Sequence, residues 1–154
     1  MTGTKVSAGA TRGQIEDLLI QRGIEQFAVF SDRLKASIAF AYSGLTYRLD
    51  LTLPDPESKE FTEYRRGSVP YAREPHVAKQ LYTQEVNRRW RALYTVIKAK
   101  LIAVEEKITT FEREFLAYIV THNGQVFGDH AIPQLVAGAK SGKVPTTLAL
   151  PGGG

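Results

Sequence analysis

The hydrophobic positions of this chain follow a helical period near both ends and an alternating period between them. From Val77 to Lys107, apolar residues recur at steps of three and four, which predicts one long amphipathic helix. Its apolar face is formed by Val86, Trp90, Leu93, Tyr94, Ile97, Leu101 and Val104. Because no Pro or Gly interrupts this stretch, we expect the helix to be the element around which the chain is organised.

Alternation of apolar and polar residues predicts three antiparallel strands before this helix, at Gln26–Phe30, Leu34–Tyr42 and Thr46–Leu53. Short turn sequences separate the strands. One face of the resulting meander is apolar, and the long helix is expected to cover it. The opposite face is expected to be open or to bind a ligand, and it carries Lys35, Ser37, Ala39, Arg48 and Thr52.

Three shorter helices complete the predicted fold. The first spans Gln14–Arg22 and opens at Thr11 or Arg12, with Gly23 as its stop signal. Thr109 followed by Glu112 predicts a helix that ends near Thr121. Asp129 can cap a last helix that reaches about Ala139. The predicted class is therefore α+β: an N-terminal helix, a three-stranded antiparallel meander covered by a long central helix, and two shorter C-terminal helices.

The 154 residues suffice for one domain with a real core. We expect residues 1–10 to be disordered, residues 11–140 to form a single domain, and residues 141–154 to form a flexible Gly/Pro tail. Within the domain, residues 57–76 read as a long charged loop because no clear period is visible there.

Composition narrows the partners only slightly. The formal net charge is +4 and the sequence pI is about 9.4, which is compatible with nucleic acid without requiring it. Cys is absent, so disulfides and thiolate metal sites are excluded, as is usual in a reducing cytoplasm. No stretch approaches the roughly 18 apolar residues that span a membrane. We expect a cytoplasmic protein without a membrane partner.

Catalytic motifs for nucleotide, dinucleotide, metalloprotease or serine-hydrolase chemistry are missing from the sequence. His122, Asp129 and His130 are spaced too loosely to predict a metal site, and a polar helix cap is the simpler interpretation of Asp129. We therefore expect no catalytic residue, no metal and no cofactor. A small enzyme whose site the fold assembles is the least favoured alternative.

Basic and aromatic side chains of the charged loop and of the long helix are the candidates for nucleic-acid contact. Arginine and lysine neutralise phosphates, and tyrosine stacks on bases. The predicted contacts are Tyr64, Arg65, Arg66, Tyr71, Arg73, Arg88, Arg89, Arg91, Lys98 and Lys100. The alternative is that the loop is a solvated linker and that the helix cations are a solvated rim around a core helix.

Small residues also occupy the side of the long helix opposite Trp90, where a simple surface helix would carry charges. Their size predicts close approach by a second element, either a later helix that carries Leu135, Val136 and Ala139 or a neighbouring subunit. This alanine face consists of Ala92, Val96, Ala99 and Ala103.

Several segments resemble a family of small uncharacterised proteins encoded by bacteriophages and prophages. The segments are Arg22-Gly23, Gln26-Phe27, residues 89–93, 96–101 and 103–105, 110–112 and 114–117, Asn123-Gly124-Gln125, Gly128, and Lys143-Val144-Pro145. The resemblance covers nearly the whole chain from Ile15 to Pro145. It implies a phage gene product that acts in the bacterial cytoplasm, and it carries over no activity and no functional residue.

Two functions are consistent with these patterns. The first is a nucleic-acid-binding accessory protein that supports recombination, replication or transcription on single-stranded or duplex DNA. A meander followed by a long basic helix is also broadly similar in layout to the core of single-strand annealing proteins, which is an analogy of fold alone. The second is a homo-oligomeric protein that binds no nucleic acid, such as an inhibitor of a host defence protein, a scaffold or a virion component.

Overall fold

A computed structural model describes residues 6–145 and shows a mixed α+β fold. The helices are α1 (Ala8–Gln21), α2 (Lys59–Thr62), α3 (Pro75–Glu105), α4 (Phe111–Glu114) and α5 (Phe127–Lys140), with a 3₁₀ turn at Leu116–Tyr118. The strands are β1 (Gln26–Ser31), β2 (Lys35–Tyr42), β3 (Leu45–Thr52), β4 (Glu63–Arg66) and β5 (Val69–Ala72). The predicted class, with its three-stranded meander and long central helix, is confirmed.

Strands β1, β2 and β3 form the antiparallel sheet in that order. Ile38 lies opposite Leu49 and Phe40 opposite Tyr47, so their side chains share one face of the sheet. These four residues are at most 3% exposed, which confirms the apolar face that alternation predicts. Leu34 departs from the pattern: it precedes β2 and is 44% exposed.

Helices α1 and α3 pack against each other and against this face. Trp90, Leu93, Ile97 and Leu101 of α3 are buried, as the three- and four-residue steps predict. Helix α1 begins at Ala8, because the Ser7 hydroxyl accepts a hydrogen bond from the Ala10 amide. Its start therefore lies before Thr11 and inside the segment expected to be disordered. Residues 1–5 and 146–154 lie outside the described residues.

Five rings join the sheet to the chain that follows α3. Phe40 stacks on Tyr47 with ring centroids 5.4 Å apart, and Phe111 stacks on Phe115 at 4.7 Å. The two pairs meet edge to face, with Phe115 5.8 Å from Phe40 and Phe111 5.3 Å from Tyr47. Tyr42 stacks on Phe111 at 4.0 Å and completes this aromatic cluster.

The helix predicted from Thr109 to Thr121 is wrong in its length. Helix α4 ends at Glu114, a 3₁₀ turn follows, and Ile119 bridges Tyr47 at the edge of β3. The Val120 amide donates to the Thr46 carbonyl over 2.8 Å. The β-branched run that starts at Ile119 favours extended backbone, and a free strand edge gives it partners. The helix cap is also Thr110 and not Thr109, since the Thr110 hydroxyl accepts from the Arg113 amide.

Helix α5 begins at Phe127 and ends at Lys140, so it starts three residues earlier than a helix capped by Asp129 would. The cap position is Val126, and Asp129 lies in the first turn, so the prediction that Asp129 caps this helix is wrong. Gly128 fixes its position: a Cβ placed there would lie 3.0 Å from the Cβ of Ala117 and 3.1 Å from its carbonyl oxygen. The helix therefore approaches the backbone of the 3₁₀ turn more closely than a side chain allows. Leu135 and Val136, which follow, are 55% and 51% exposed.

Burial raises the pKa of Tyr47, whose side chain is 0% exposed, and the nearby Glu112 carboxylate adds to the effect. The folded state therefore favours the neutral phenol. This contribution to stability is fully present below the ordinary tyrosine pKa of about 10, and it is lost as the pH rises through the raised value.

We expect Tyr47→Phe to weaken the alkaline loss of stability. Urea unfolding measured at about pH 8 and about pH 10.5 should show a smaller fall in the free energy of unfolding for the variant than for the wild type. Tyr64→Phe, which changes an exposed ring, is the control and should show the same fall in the free energy of unfolding as the wild type. An equal fall for Tyr47→Phe and the wild type would contradict the raised pKa of Tyr47.

Candidate nucleic-acid interface

Residues 57–76, predicted to be a long charged loop, contain regular structure instead. The short helix α2 leads directly into β4, which pairs antiparallel with β5. Two residues, Gly67 and Ser68, connect the strands, and Gly67 has a φ of +62°. A Gly-Ser pair between strand-forming residues is a hairpin signal, but each flanking run has only four residues, too few to show a period.

This hairpin arm, residues 63–72, contributes almost nothing to the core. Glu63 is half-buried, and every other strand residue of the arm is exposed. The arm is held at its base through α2, whose Phe61 packs edge to face on Tyr82 of α3 with centroids 5.7 Å apart. Because the arm buries so little surface, the stability of the domain does not require it, and its presence needs another explanation.

Arg73 ties the arm to α2. Its amide donates to the Thr62 carbonyl over 2.7 Å, and its guanidinium reaches the carbonyls of Glu60 and Phe61 at 3.2 and 3.4 Å. Arg73 was predicted to contact phosphate, but these bonds make it first an anchor of the arm. It also lines a cleft of about 490 Å³ together with Arg88.

One face of the arm presents an aromatic pair. Tyr64 and Tyr71 lie opposite each other and stack with centroids 5.5 Å apart and an interplanar angle of 21°. They remain 38% and 43% exposed, and Val69 on the same face is 49% exposed. The Arg66 guanidinium lies 5.7 Å from the centre of the Tyr71 ring. This face can take a flat ligand on its rings and an anion beside it.

The opposite face and the tip add charge. Arg65 lies on the other side of β4, where its guanidinium donates to the Ser68 carbonyl at the turn over 3.2 Å. From Tyr64 to Arg73 the chain holds three arginines and no acidic residue. The tip is therefore positive on both faces, while Glu60, Glu63 and Glu74 lie near the base.

The predicted helix cations do not join the arm in one surface. Arg88 donates twice to Glu85, at 2.6 and 2.9 Å, and this hydrogen bonding lowers the pKa of the Glu85 carboxyl and raises that of Arg88. Lys100 bonds to Glu114 and lies 5.2 Å from the Tyr118 ring centre. Both cations therefore already have an acidic partner within the protein, and Lys100 joins α3 to α4 through its partner.

The remaining helix cations point to different surroundings. Arg91 donates to Gln14 of α1 and lies 4.4 Å from the Tyr94 ring centre, and Lys98 lies 5.8 Å from the same ring. Arg89 is half-buried. A helix rises 1.5 Å per residue, so Lys98 and Lys100 are about 35 Å along α3 from its start beside the arm. Of the ten predicted contacts, Tyr64, Arg65, Arg66 and Tyr71 form one exposed group.

The alanine face of α3 is open over most of its length. Ala92 and Ala99 are exposed, Val96 is 43% exposed, and Ala103 is half-buried. Helix α5 does not cover it, because its own apolar residues Leu135 and Val136 are exposed. The alanine face of α3 and the apolar residues of α5, which the sequence suggested would pack together, are therefore both uncovered within residues 6–145.

The sheet face that was expected to be open carries a charge network. Ser37 donates to Asp50 over 2.6 Å, and Arg48 and Lys35 lie 3.2 and 3.6 Å from the same carboxylate. Arg48 also donates to the Gly124 carbonyl over 2.9 Å. These contacts pair both cations with one carboxylate and tie this face to the loop before α5.

Neither a metal-binding cluster nor a membrane-spanning helix is present in residues 6–145. Over residues 6–145, His, Asp and Glu side chains form no cluster of three or more that could hold a metal ion. His130 contacts Gln134 at 3.3 Å, one turn along α5. None of the helices described has the length and apolar character needed to cross a membrane.

Comparison of the chain with protein-family models, curated proteins and solved structures found no match in any of the three.

Proposed function

We propose that this protein is a phage-encoded, non-enzymatic accessory protein that binds nucleic acid through the hairpin arm. The observation that carries the proposal is the exposed Tyr64–Tyr71 stack with Arg65 and Arg66 on an arm that the core does not need. The phage setting comes from the sequence resemblance alone. Support of recombination, replication or transcription is the role that we propose for nucleic-acid binding in that setting.

Single-stranded nucleic acid fits this arm better than duplex. Aromatic rings stack on bases only where the bases are unpaired, and each such stack contributes about 1–3 kcal/mol. Arg66, beside the rings, supplies a phosphate contact on the same surface, and Arg65 adds a second positive charge on the other face of the tip. A two-stranded ribbon also fits the major groove of duplex DNA, so a duplex of equal length is the natural comparison.

Replacing both tip arginines tests the phosphate contacts. We expect Arg65→Ala with Arg66→Ala to weaken binding to a labelled single-stranded oligonucleotide about tenfold or more at low salt, since two charge-assisted contacts are lost. The slope of log affinity against log salt should become shallower by about 1.5, as measured by fluorescence anisotropy between about 50 and about 200 mM salt.

The matched control removes two cations at the far end of α3, Lys107→Ala with Arg113→Ala. Both side chains are exposed, and the helix between them and the arm is about 45 Å long. The control should keep the wild-type affinity and slope. Absence of binding by the wild type at low salt would reject the nucleic-acid function, and unchanged binding by the arginine variant would remove the arm from it.

Replacing the rings separates stacking from charge. Tyr64→Val with Tyr71→Val keeps strand-forming residues at both positions but removes the rings. We expect single-strand affinity to fall about tenfold or more while the salt slope stays at the wild-type value, because no cation is lost. Equal losses on single strand and duplex, or a changed slope, would contradict base stacking.

A second candidate function is protein binding by a homo-oligomer that uses the alanine face and no nucleic acid. The observation in its favour is that Ala92, Val96 and Ala99 are exposed, while Leu135 and Val136 of α5 are also uncovered. We expect Ala99→Glu to dissociate such an assembly, measured by sedimentation, with no effect of salt on the wild type. Lys98→Glu, exposed on the same helix but about 100° around it from Ala99 and away from the alanine face, is the control. An Ala99→Glu protein that stays assembled contradicts this interface.

A further inference from the structure

The two edge strands of the main sheet differ in how much of their outer edge is hydrogen-bonded. The outer edge of β3 is partly paired: Ile119 bridges Tyr47, and the Val120 amide donates to the Thr46 carbonyl. No backbone hydrogen bond from residues 6–145 reaches the outer edge of β1. The backbone donors and acceptors along that edge are thus left for another strand.

The side chains of β1 do not protect this edge. Residues 26–31 contain no charge, no proline and no glycine, whereas β3 carries Arg48 and Asp50. Soluble proteins usually block exposed edges with charges, prolines or bulges. Phe30 is 60% exposed beside Ala28, and Phe27 and Val29, which point toward the core, are only half-buried.

We propose that β1 pairs antiparallel with β1 of a second copy of this chain, so that two three-stranded sheets join into one of six strands. In an antiparallel pair, opposed residues point to the same face. When a two-fold axis relates two identical antiparallel strands, one residue must lie opposite the same residue of the other copy, on the axis. Each possible register is therefore defined by the residue at its centre.

The register centred on Val29 fits the side chains best. It places each exposed Phe30 ring opposite Ala28 of the second copy, so that a large side chain covers a small one on both sides of the axis. Val29 meets its own counterpart and extends the buried layer. Beyond the strand ends, Glu25 lies opposite Arg33 of the second copy, which pairs opposite charges. The strand is thus complementary to itself, which favours a second copy over an unrelated peptide.

Charge exchange across the axis tests this pairing. Ala28→Lys with Phe30→Lys places like charges opposite each other twice, and Ala28→Glu with Phe30→Glu does the same with the opposite sign. We expect the wild type to sediment as a dimer and each double variant as a monomer. An equimolar mixture of the two variants should form a dimer again, because every Lys then faces a Glu.

Thr46→Lys with Thr52→Lys is the matched control. Both threonines are exposed on the same face of the sheet but belong to β3, so this variant should remain dimeric. Circular dichroism checks the fold of every variant. A monomeric wild type up to about 100 μM, a dimeric lysine variant, or a mixture that stays monomeric each overturns the proposal.

Hydrogen exchange on the wild type provides a test that needs no variant. Amides of residues 26–31 that point away from β2 should exchange more slowly at high than at low protein concentration. Concentration-independent exchange along β1 overturns the pairing. Loss of nucleic-acid binding has no bearing on either result, since the hairpin arm and β1 are separate surfaces.

Discussion

The contact between the sheet and the chain that follows α3 depends on the aromatic cluster. Phe40 and Tyr47 come from the sheet, Phe111 begins α4, a helix of only four residues, and Phe115 directly follows that helix. So short a helix has no stability of its own in water. The aromatic cluster stabilises α4 in its place. It thereby fixes where the following chain begins, including the bridge from Ile119 to β3 and the contact of α5 with Ala117.

Periodicity predicted the parts of the fold whose pattern is long enough to repeat. Strands of eight residues and a helix of 31 contain several periods each, and their buried faces were found as predicted. The hairpin arm and α4 have four-residue elements, in which no period can be seen. The extended course at Ile119 depends on a strand edge far away in sequence, which local patterns do not contain.

The candidate site was predicted in composition but not in arrangement. Arginines and tyrosines between residues 64 and 73 stood out by residue type, yet only the register of β4 with β5 pairs Tyr64 with Tyr71. Conversely, the helix cations looked alike in the sequence. In the structure two of the five have partners distant along the chain, Gln14 for Arg91 and Glu114 for Lys100. Charge alone does not show which cations have such partners.

The attachment of the arm through α2, outside the aromatic cluster, has an evolutionary consequence. Mutations at buried positions are removed by selection because they unfold the domain. Mutations at the exposed positions of the arm escape that filter, since few contacts of the core depend on them. The arm can therefore accumulate changes quickly while the helices and the main sheet keep their sequence pattern. Among related chains, we expect sequence variation to be concentrated in this segment.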